Sequence, residues 1–368
     1  MIPLHKVVLT DAEVDAATRV LRSGALRQGE VTAAFEKAFA QEVGARFAVA
    51  VSSGTAALHL PYLDFLQPGD EILVPTFTFI ATASMAALVG ARPVFCDVDP
   101  RTFTLDLADA RKRITSRTRA LAPVHLFGNA CDVDGIMALA REFDLKIIWD
   151  AAQAHGAKFR GRDVGSFDQA VAYSFYPSKN MFVGEGGIIT TNDAQLYERL
   201  QLTRSHGQSG RYIHTCLGFN YRLTDVEAAI GLKQLARLGE MVARRRANGA
   251  YLSAHLGKIP AVQTPVEQTH GSHSYNQYSI VLDPDALTCT RDEFAGHLGE
   301  LGVGTGVHYP RCLHQQPVFQ ELYGSAPLPV AEKLARSILA LPVHPLLTEG
   351  ELEQIVAAVR QACEKFGK

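Results

Sequence analysis

The 368-residue sequence lacks the features that mark a membrane protein, a secreted protein or a nucleic-acid-binding protein. It has no run of about 18 consecutive apolar residues, the length that a membrane-spanning helix needs. Its 36 lysines and arginines nearly balance its 38 aspartates and glutamates, and the net charge of −2 argues against a strong basic field over the whole surface. Residues 1–10 contain no apolar stretch of the kind found in secretory signals. We therefore expect a cytoplasmic protein that binds neither nucleic acid nor a membrane.

Cysteine is scarce, and the common metal-binding and nucleotide-binding motifs are missing. None of the six cysteines lies two residues from another, which favours reduced thiols over a disulfide framework. The 13 histidines show no spacing typical of a metal site, so we predict no bound metal. The sequence has no phosphate-binding loop of the GxxxxGK[ST] type, no HExxH motif and no GxSxG motif. Its glycine-rich segment 302–306 precedes a predicted strand, whereas a dinucleotide-binding GxGxxG motif follows one.

Segments typical of strands and of helices alternate through the first two-thirds of the chain. Short apolar runs lie at 120–124, 146–149 and 170–175, and a segment with helical periodicity at 133–143 separates the first two. This alternation predicts an α/β fold with a mostly parallel sheet sandwiched between helices. In such sheets the reactive residues lie at the carboxyl ends of the strands.

A long helical pattern over about 225–255 is expected to connect this part to a smaller α+β domain. The pattern contains three glycines, which leave a bend or a break open. A further strand is predicted at 303–308. We divide the chain into a large domain, residues 1–240 with the N-terminal helix, and a small C-terminal domain, residues 241–368.

Asp150 and Lys179 each follow an apolar strand. Taken singly, the aspartate is most simply a helix cap and the lysine a surface residue. However, Lys179 lies between the strand 170–175 and the segment 184–187, after which another apolar strand begins. Such a lysine loses hydration, which lowers its pKa and makes its amine a nucleophile for Schiff-base chemistry. A carboxylate at a neighbouring strand end is what the ring nitrogen of pyridoxal phosphate requires, because it keeps that nitrogen protonated.

The phosphate of such a cofactor needs hydrogen-bond donors, and the segment 52–55 offers them. The segment lies between a predicted strand and a predicted helix, so N–H groups at the helix start and the Thr55 hydroxyl can bind an anion. Gly54 permits close approach of the backbone. Ser174 adds a second hydroxyl five residues before Lys179. Taken alone, the segment 52–55 is better explained as an ordinary helix capped by serine or threonine.

Taken together, these segments resemble one family. The order and spacing of 53–58, 74–79, 150–156, 174–179, 184–187 and 218–225 are similar to those of the DegT/DnrJ/EryC1/StrS sugar aminotransferases, and the resemblance covers nearly the whole chain. It implies the aspartate aminotransferase fold, fold type I of the pyridoxal phosphate enzymes. It also implies pyridoxal 5′-phosphate as the cofactor, with pyridoxamine phosphate as its intermediate form.

The resemblance implies a role for each candidate residue. Lys179 would form the Schiff base and then transfer protons, and Asp150 would pair with the ring nitrogen. The other implied cofactor contacts are Gly54, Thr55 and Ser174 at the phosphate, Phe79 stacked on the ring, Gln153 near its phenolic oxygen, and Asn220 reaching the phosphate from the neighbouring subunit. The implied substrate contacts are Arg222, His308 and Tyr309. The role of Asn220 implies a homodimer with shared active sites.

The function that follows is transfer of an amino group from an amino acid, L-glutamate, to a nucleotide-linked keto-hexose. The segment 307–310 resembles the substrate loop of members acting on 3-keto sugars more than that of perosamine-type 4-keto enzymes, which favours C3. Lys179 argues against the subgroup that carries histidine there and removes a hydroxyl. Two alternatives remain open. One is a cyclitol (inosose) aminotransferase, and the other is a non-catalytic regulatory relative, against which the intact Lys179, Asp150 and Gln153 argue.

Overall fold

The computed structural model describes residues 1–324 and 326–368. The helices in these ranges are α1 (Asp11–Ser23), α2 (Glu30–Val43), α3 (Gly54–Phe65), α4 (Ala81–Leu88), α5 (Leu107–Arg113), α6 (Val133–Glu142), α7 (Ala194–Arg204), α8 (Asp225–Leu256), α9 (Arg291–Glu300), α10 (Pro317–Tyr323), α11 (Pro329–Ser337) and α12 (Glu349–Phe366). The strands are β1 (Phe47–Val51), β2 (Glu71–Pro75), β3 (Arg92–Cys96), β4 (Thr118–Leu121), β5 (Lys146–Asp150), β6 (Lys158–Phe159), β7 (Arg162–Asp163), β8 (Ala170–Ser174), β9 (Gly187–Thr191), β10 (Gln208–Gly210), β11 (Ile213–His214), β12 (Val262–Gln263), β13 (Gly271–Ser272), β14 (Tyr278–Leu282) and β15 (Ile338–Leu341). Across the described ranges, no helix combines the length and the apolar character that crossing a membrane requires.

A seven-stranded sheet, in the order β1-β9-β8-β5-β4-β2-β3, forms the centre of the molecule. Strand β9 runs antiparallel to both of its neighbours, and the remaining pairs are parallel. Its strands are apolar on both faces because helices cover both: Trp149 packs into one core and the adjacent Ile148 into the other. The predicted α/β fold with a mostly parallel, helix-covered sheet is confirmed.

Helix α8 is one continuous helix, so the bend or break left open by its glycines does not occur. It begins with a capping box, in which Thr224 and Glu227 each bond the other's backbone N–H. Gly249 is needed for packing, since a Cβ atom there would lie 2.9 Å from Cζ of Tyr275. The domain division predicted at 240/241 falls inside α8 and stays a prediction.

The C-terminal part is built on a small antiparallel sheet, β12-β14-β15. Phe294 of α9 and Ile355 of α12 are buried in the same apolar core as this sheet. The strand predicted at 303–308 is wrong. Gly302 and Gly304 bond the backbone of Ile2 at 2.7 and 2.8 Å, and only isolated bridges form in this segment, where alternate glycines lower the tendency to form a strand.

Four strands of the central sheet bring the predicted site together. The parallel strands β1, β2, β5 and β8 end at the same edge of the sheet, and their carboxyl ends lead into 52–55, 76–79, 150–153 and 174–179. The crevice beyond this edge is the expected place for a ligand in an open α/β sheet.

Candidate active site

A cavity of about 480 Å³ lies beyond the carboxyl ends of these strands. Most of the residues predicted from the sequence line it: Gly54, Thr55, Phe79, Asp150, Gln153, Ser174, Lys179, His308 and Tyr309. Segments far apart in the chain therefore supply one continuous surface.

Asp150 is held in place by two hydrogen bonds. Its Oδ2 accepts a bond of 2.8 Å from the Thr82 hydroxyl, and its Oδ1 accepts one of 3.0 Å from the backbone N–H of Ala152. Burial raises the pKa of the Asp150 carboxyl, and these two bonds and the charge of Lys179 act in the opposite direction. A carboxylate offers about four lone-pair positions, so Asp150 retains capacity for a cationic N–H donor from a ligand in the cavity.

Lys179 lies half-buried in the turn after β8. Burial lowers the pKa of its ammonium group to about 8, while the negative charge of Asp150 opposes this shift. A larger share of the side chain is therefore the neutral, nucleophilic amine near neutral pH than is usual for lysine.

The start of α3 forms a cradle of backbone donors against β8. The Ser53 hydroxyl oxygen accepts a bond of 3.1 Å from the N–H of Ala56 and so caps the helix. Helix α3 begins at Gly54, where a Cβ atom would lie 2.6 Å from the Cβ of Ser174. Only glycine thus allows the first turn of α3 and the Ser174 hydroxyl to approach one ligand, and the N–H groups of that turn suit a phosphate.

Gln153, Tyr309 and Phe79 form the polar and aromatic wall of the cavity. The Gln153 carbonyl oxygen accepts a bond of 2.7 Å from the N–H of Phe127, and its amide group donates one of 3.2 Å to the Tyr309 hydroxyl. The Phe79 ring lies 6.2 Å from the Tyr309 ring, centroid to centroid, and is 56% exposed. Phe79 is therefore a cavity residue rather than a core residue, and its face is available for stacking.

Asn220 and Arg222 are outside the cavity of their own chain. Asn220 is exposed and forms a backbone bridge with Ser205, and Arg222 is half-buried and bridges Val51 at the end of β1. Their predicted roles, at the phosphate of a neighbouring subunit and at the substrate, stay predictions.

Sequence reasoning missed several residues of this site. Thr82, in the first turn of α4, bonds Asp150, and it lies three residues after the 74–79 segment that carries the family resemblance. Tyr176, Glu185 and Gln277 also line the cavity. Gln277 comes from the C-terminal part of the chain and has no local pattern that marks it.

The cavity fits pyridoxal phosphate on three independent counts. It offers a buried carboxylate for the ring nitrogen, a lysine amine of lowered pKa, and a glycine-dependent cradle at a helix N-terminus. This fold and these groups are those of a pyridoxal-phosphate-dependent aminotransferase.

The chain belongs to the DegT/DnrJ/EryC1/StrS aminotransferase family, whose sequence model matches residues 8–360. It is similar to the GDP-perosamine synthase of Caulobacter vibrioides, with 41% identity over 90% of both chains. It is 38% identical to a pleiotropic regulatory protein of Geobacillus stearothermophilus, over 94% of this chain and 93% of that protein. Relatives at 36% to 38% identity are named for amino transfer to dTDP- or UDP-linked sugars. The fold matches DesV of S. venezuelae in complex with a ketimine intermediate, with a TM-score of 0.92, 35% identity and coverage of 98% and 99%.

The family that the sequence resembles, the enzyme class and the cofactor predicted from the sequence are thus confirmed. The protein is a pyridoxal-phosphate-dependent sugar aminotransferase.

Proposed function

We propose that this enzyme transfers an amino group from L-glutamate to the ketone of a nucleotide-linked hexose. The main support is that Lys179 and Asp150 line one cavity. In addition, relatives of this chain are named for nucleotide-linked sugars. We also propose that it works as a homodimer in the cytoplasm, with Asn220 completing the neighbouring site.

Bound pyridoxal phosphate supplies a carbonyl carbon for amine exchange and a ring that withdraws electrons. Lys179 Nζ acts as the proton carrier: as the neutral amine it takes the proton from the α-carbon of the donor. A pKa of about 8 makes this lysine able both to accept and to release a proton near neutral pH. The same atom then delivers a proton during amination of the sugar.

Asp150 keeps the ring nitrogen protonated. A cation facing this carboxylate favours its charged form, which offsets the effect of burial on its pKa. Thr82 and the N–H of Ala152 fix the carboxylate while it does so. The hydrogen bonds to Phe127 and Tyr309 likewise fix the side-chain amide of Gln153. The ring of Phe79 lines the same cavity.

The position that receives the amino group is proposed to be C3. The support is the segment 307–310, which contains the cavity residues His308 and Tyr309 and resembles that of 3-keto enzymes. The relatives include a GDP-perosamine synthase as well as enzymes named for 3-amino or 3-oxo sugars, so C4 is the alternative to test.

The experiment is a panel of nucleotide-linked 3-keto and 4-keto sugars, together with inososes, each incubated with the enzyme and L-glutamate. The amine of the product is located by NMR. Amination of a nucleotide-linked 3-keto sugar is expected. Amination at C4 would correct the position, and exclusive use of inososes would replace the substrate class by a cyclitol.

A regulatory role is the second candidate, because one relative is named a regulatory protein. Intact Lys179, Asp150 and Gln153 support turnover instead. Bleaching of the visible cofactor absorbance by L-glutamate is expected of an enzyme. A cofactor spectrum that does not respond to any amino acid would favour the regulatory role.

A further inference from the structure

A second cavity, of about 250 Å³, adjoins the first at Ser178 and Lys179, which line both. Its walls come from the N-terminal segment, from α8 and from residues 345–346. Its charged or titratable lining residues are His5, Lys6, Lys179, Arg237, Glu240, Arg244 and Arg245. We call it the basic cavity. Nothing in the proposed mechanism above uses it.

The basic residues of this cavity are only partly neutralised. Glu240 is its one acidic lining residue in the described part of the chain, and it pairs with Arg244 at 3.2 Å. Arg237 pairs at 2.9 Å with Glu13, a fully buried carboxylate of α1. Within the described residues, Lys6 and Arg245 form no ion pair.

Arg245 is the unusual member, because it is only 6% exposed and still has no carboxylate partner among residues 1–324 and 326–368. Its Nη1 donates to the carbonyl oxygens of Tyr275 and Asn276 at 3.1 and 3.4 Å, and its Nε has no hydrogen-bond partner in the part of the chain that the structure describes. Burial of a charged group without a counter-charge is costly. A buried guanidinium that lines a cavity beside the reactive lysine is therefore explained best by an anion that arrives with a substrate.

The imidazole of His5 adds no positive charge to the basic cavity. Burial, followed by the nearby charges of Arg245, His308, His344 and Lys179, lowers the pKa of the His5 imidazole to about 4. His5 is therefore neutral at physiological pH. The positive charge of the cavity rests on Lys6, the arginines and the protonated form of Lys179.

We propose that the basic cavity binds the oxyanion group of a substrate next to Lys179, either a carboxylate of the amino-acid donor or the diphosphate of the sugar nucleotide. Both substrates carry such groups, and a guanidinium suits either because it can donate two parallel hydrogen bonds. The net charge of −2 offers no attraction over the whole surface, so the counter-charge must be local. This inference rests on the proposed function for the identity of the two substrates.

The test measures binding of pyrophosphate and of glutarate to the cofactor-loaded enzyme by isothermal titration calorimetry. Glutarate carries the two carboxylates of glutamate without its amino group, so neither probe reacts. The variants are Lys6→Gln, Arg245→Gln and Arg245→Lys. The matched control is Lys233→Gln, an exposed lysine of the same helix α8 that lines a different groove.

Lys6→Gln is expected to weaken binding of at least one probe by roughly tenfold and to reduce the salt dependence of that binding, because a charge-assisted bond is lost. Arg245→Gln is expected to weaken binding more than Arg245→Lys does, while the control stays unchanged. An effect confined to glutarate assigns the donor carboxylate, one confined to pyrophosphate assigns the diphosphate, and an effect on both assigns a shared site.

The proposal is overturned if folded Lys6→Gln enzyme binds both probes as the control does. The Lys6 variant keeps the test decisive even if the buried Arg245 variants fail to fold. Because neither probe requires a keto sugar, failure of the substrate panel would remove the proposed acceptor without changing this result.

Discussion

The two cavities that meet at Lys179 differ in the charged groups that line them. The larger one holds a fixed carboxylate, Asp150, and offers neutral dipoles: helix N–H groups and the Ser174 hydroxyl. The basic cavity offers full positive charges on long side chains, Lys6 and Arg245 among them. Neutral dipoles suit a group that stays bound through many turnovers. Full charges attract ions that must arrive and leave, and their effect depends on salt.

The position of Lys179 between these surroundings explains its lowered pKa. Burial removes water from the amine, and a single carboxylate on the cofactor side only partly compensates. The lysine can thus react with a group in the first cavity while it faces an incoming anion in the second.

The largest effect is expected for Lys179→Ala, which removes the group common to both cavities. Turnover is expected to fall by at least about 100-fold, the lower range for loss of acid–base catalysis. The visible absorbance of the lysine-bound cofactor is expected to disappear. Lys146→Ala, an exposed lysine at the start of β5, serves as the control. Normal turnover by folded Lys179→Ala enzyme would refute the assignment.

Asp150→Ala is expected to have the next largest effect, confined to the cofactor side. A charge-assisted hydrogen bond is worth about 1.5–3 kcal/mol, so cofactor affinity is expected to fall by roughly tenfold or more, and most of kcat is lost with the protonated ring nitrogen. Thr82→Val removes only one hydrogen bond to this carboxylate, and the free energy of cofactor binding is expected to weaken by about 1 kcal/mol. Cofactor titration and steady-state kinetics measure both. Near-native kcat in Asp150→Ala would contradict the proposed role.

These two residues also show which parts of the molecule the sequence could reveal. Asp150 is the last residue of β5, and Lys179 lies in the turn that follows β8. Because the ends of parallel strands meet at one edge of the sheet, local pattern was enough to bring the two residues together. The alternation of strand and helix patterns is also local, and it predicted the central sheet. The strand predicted at 303–308 was wrong because glycines alternate in this segment. The backbone of 302–304 pairs with Ile2 over two hydrogen bonds and forms no continuous strand.

The basic cavity could not be predicted from local sequence patterns. His5, Arg245 and Leu346 come from the N-terminal segment, the middle of α8 and a late loop, and no local pattern links them. On a helix as charged as α8, Arg245 looks like its exposed neighbour Arg244, and only tertiary packing separates the buried guanidinium from the exposed one. The two basic residues that the family resemblance implies at the substrate, Arg222 and His308, do not line this cavity.

Subunit mixing tests whether the cofactor side is complete within one chain. Asn220 lies outside the cavity of its own chain, and we propose that it serves the neighbouring subunit. Lys179→Ala and Asn220→Ala chains are each expected to form impaired homodimers. A heterodimer of the two regains one sound site, so activity is expected to rise after exchange. Failure to recover activity, with exchange shown by mass spectrometry, would count against shared sites.

The smallest effect is expected in the pH dependence of cofactor capture by the cofactor-free protein. Only the neutral amine of Lys179 reacts, so the capture rate is expected to rise as pH increases and to level off above the pKa of about 8. Asp150→Asn removes the charge that raises this pKa and is expected to shift the midpoint to lower pH. Saturating pyrophosphate, by placing negative charge in the basic cavity, is expected to shift it to higher pH. The reaction of pyridoxal phosphate with a small amine over the same range corrects for titration of the cofactor itself. A midpoint that moves with Asp150 but not with pyrophosphate would separate the two cavities electrostatically and limit the role of the basic one to binding.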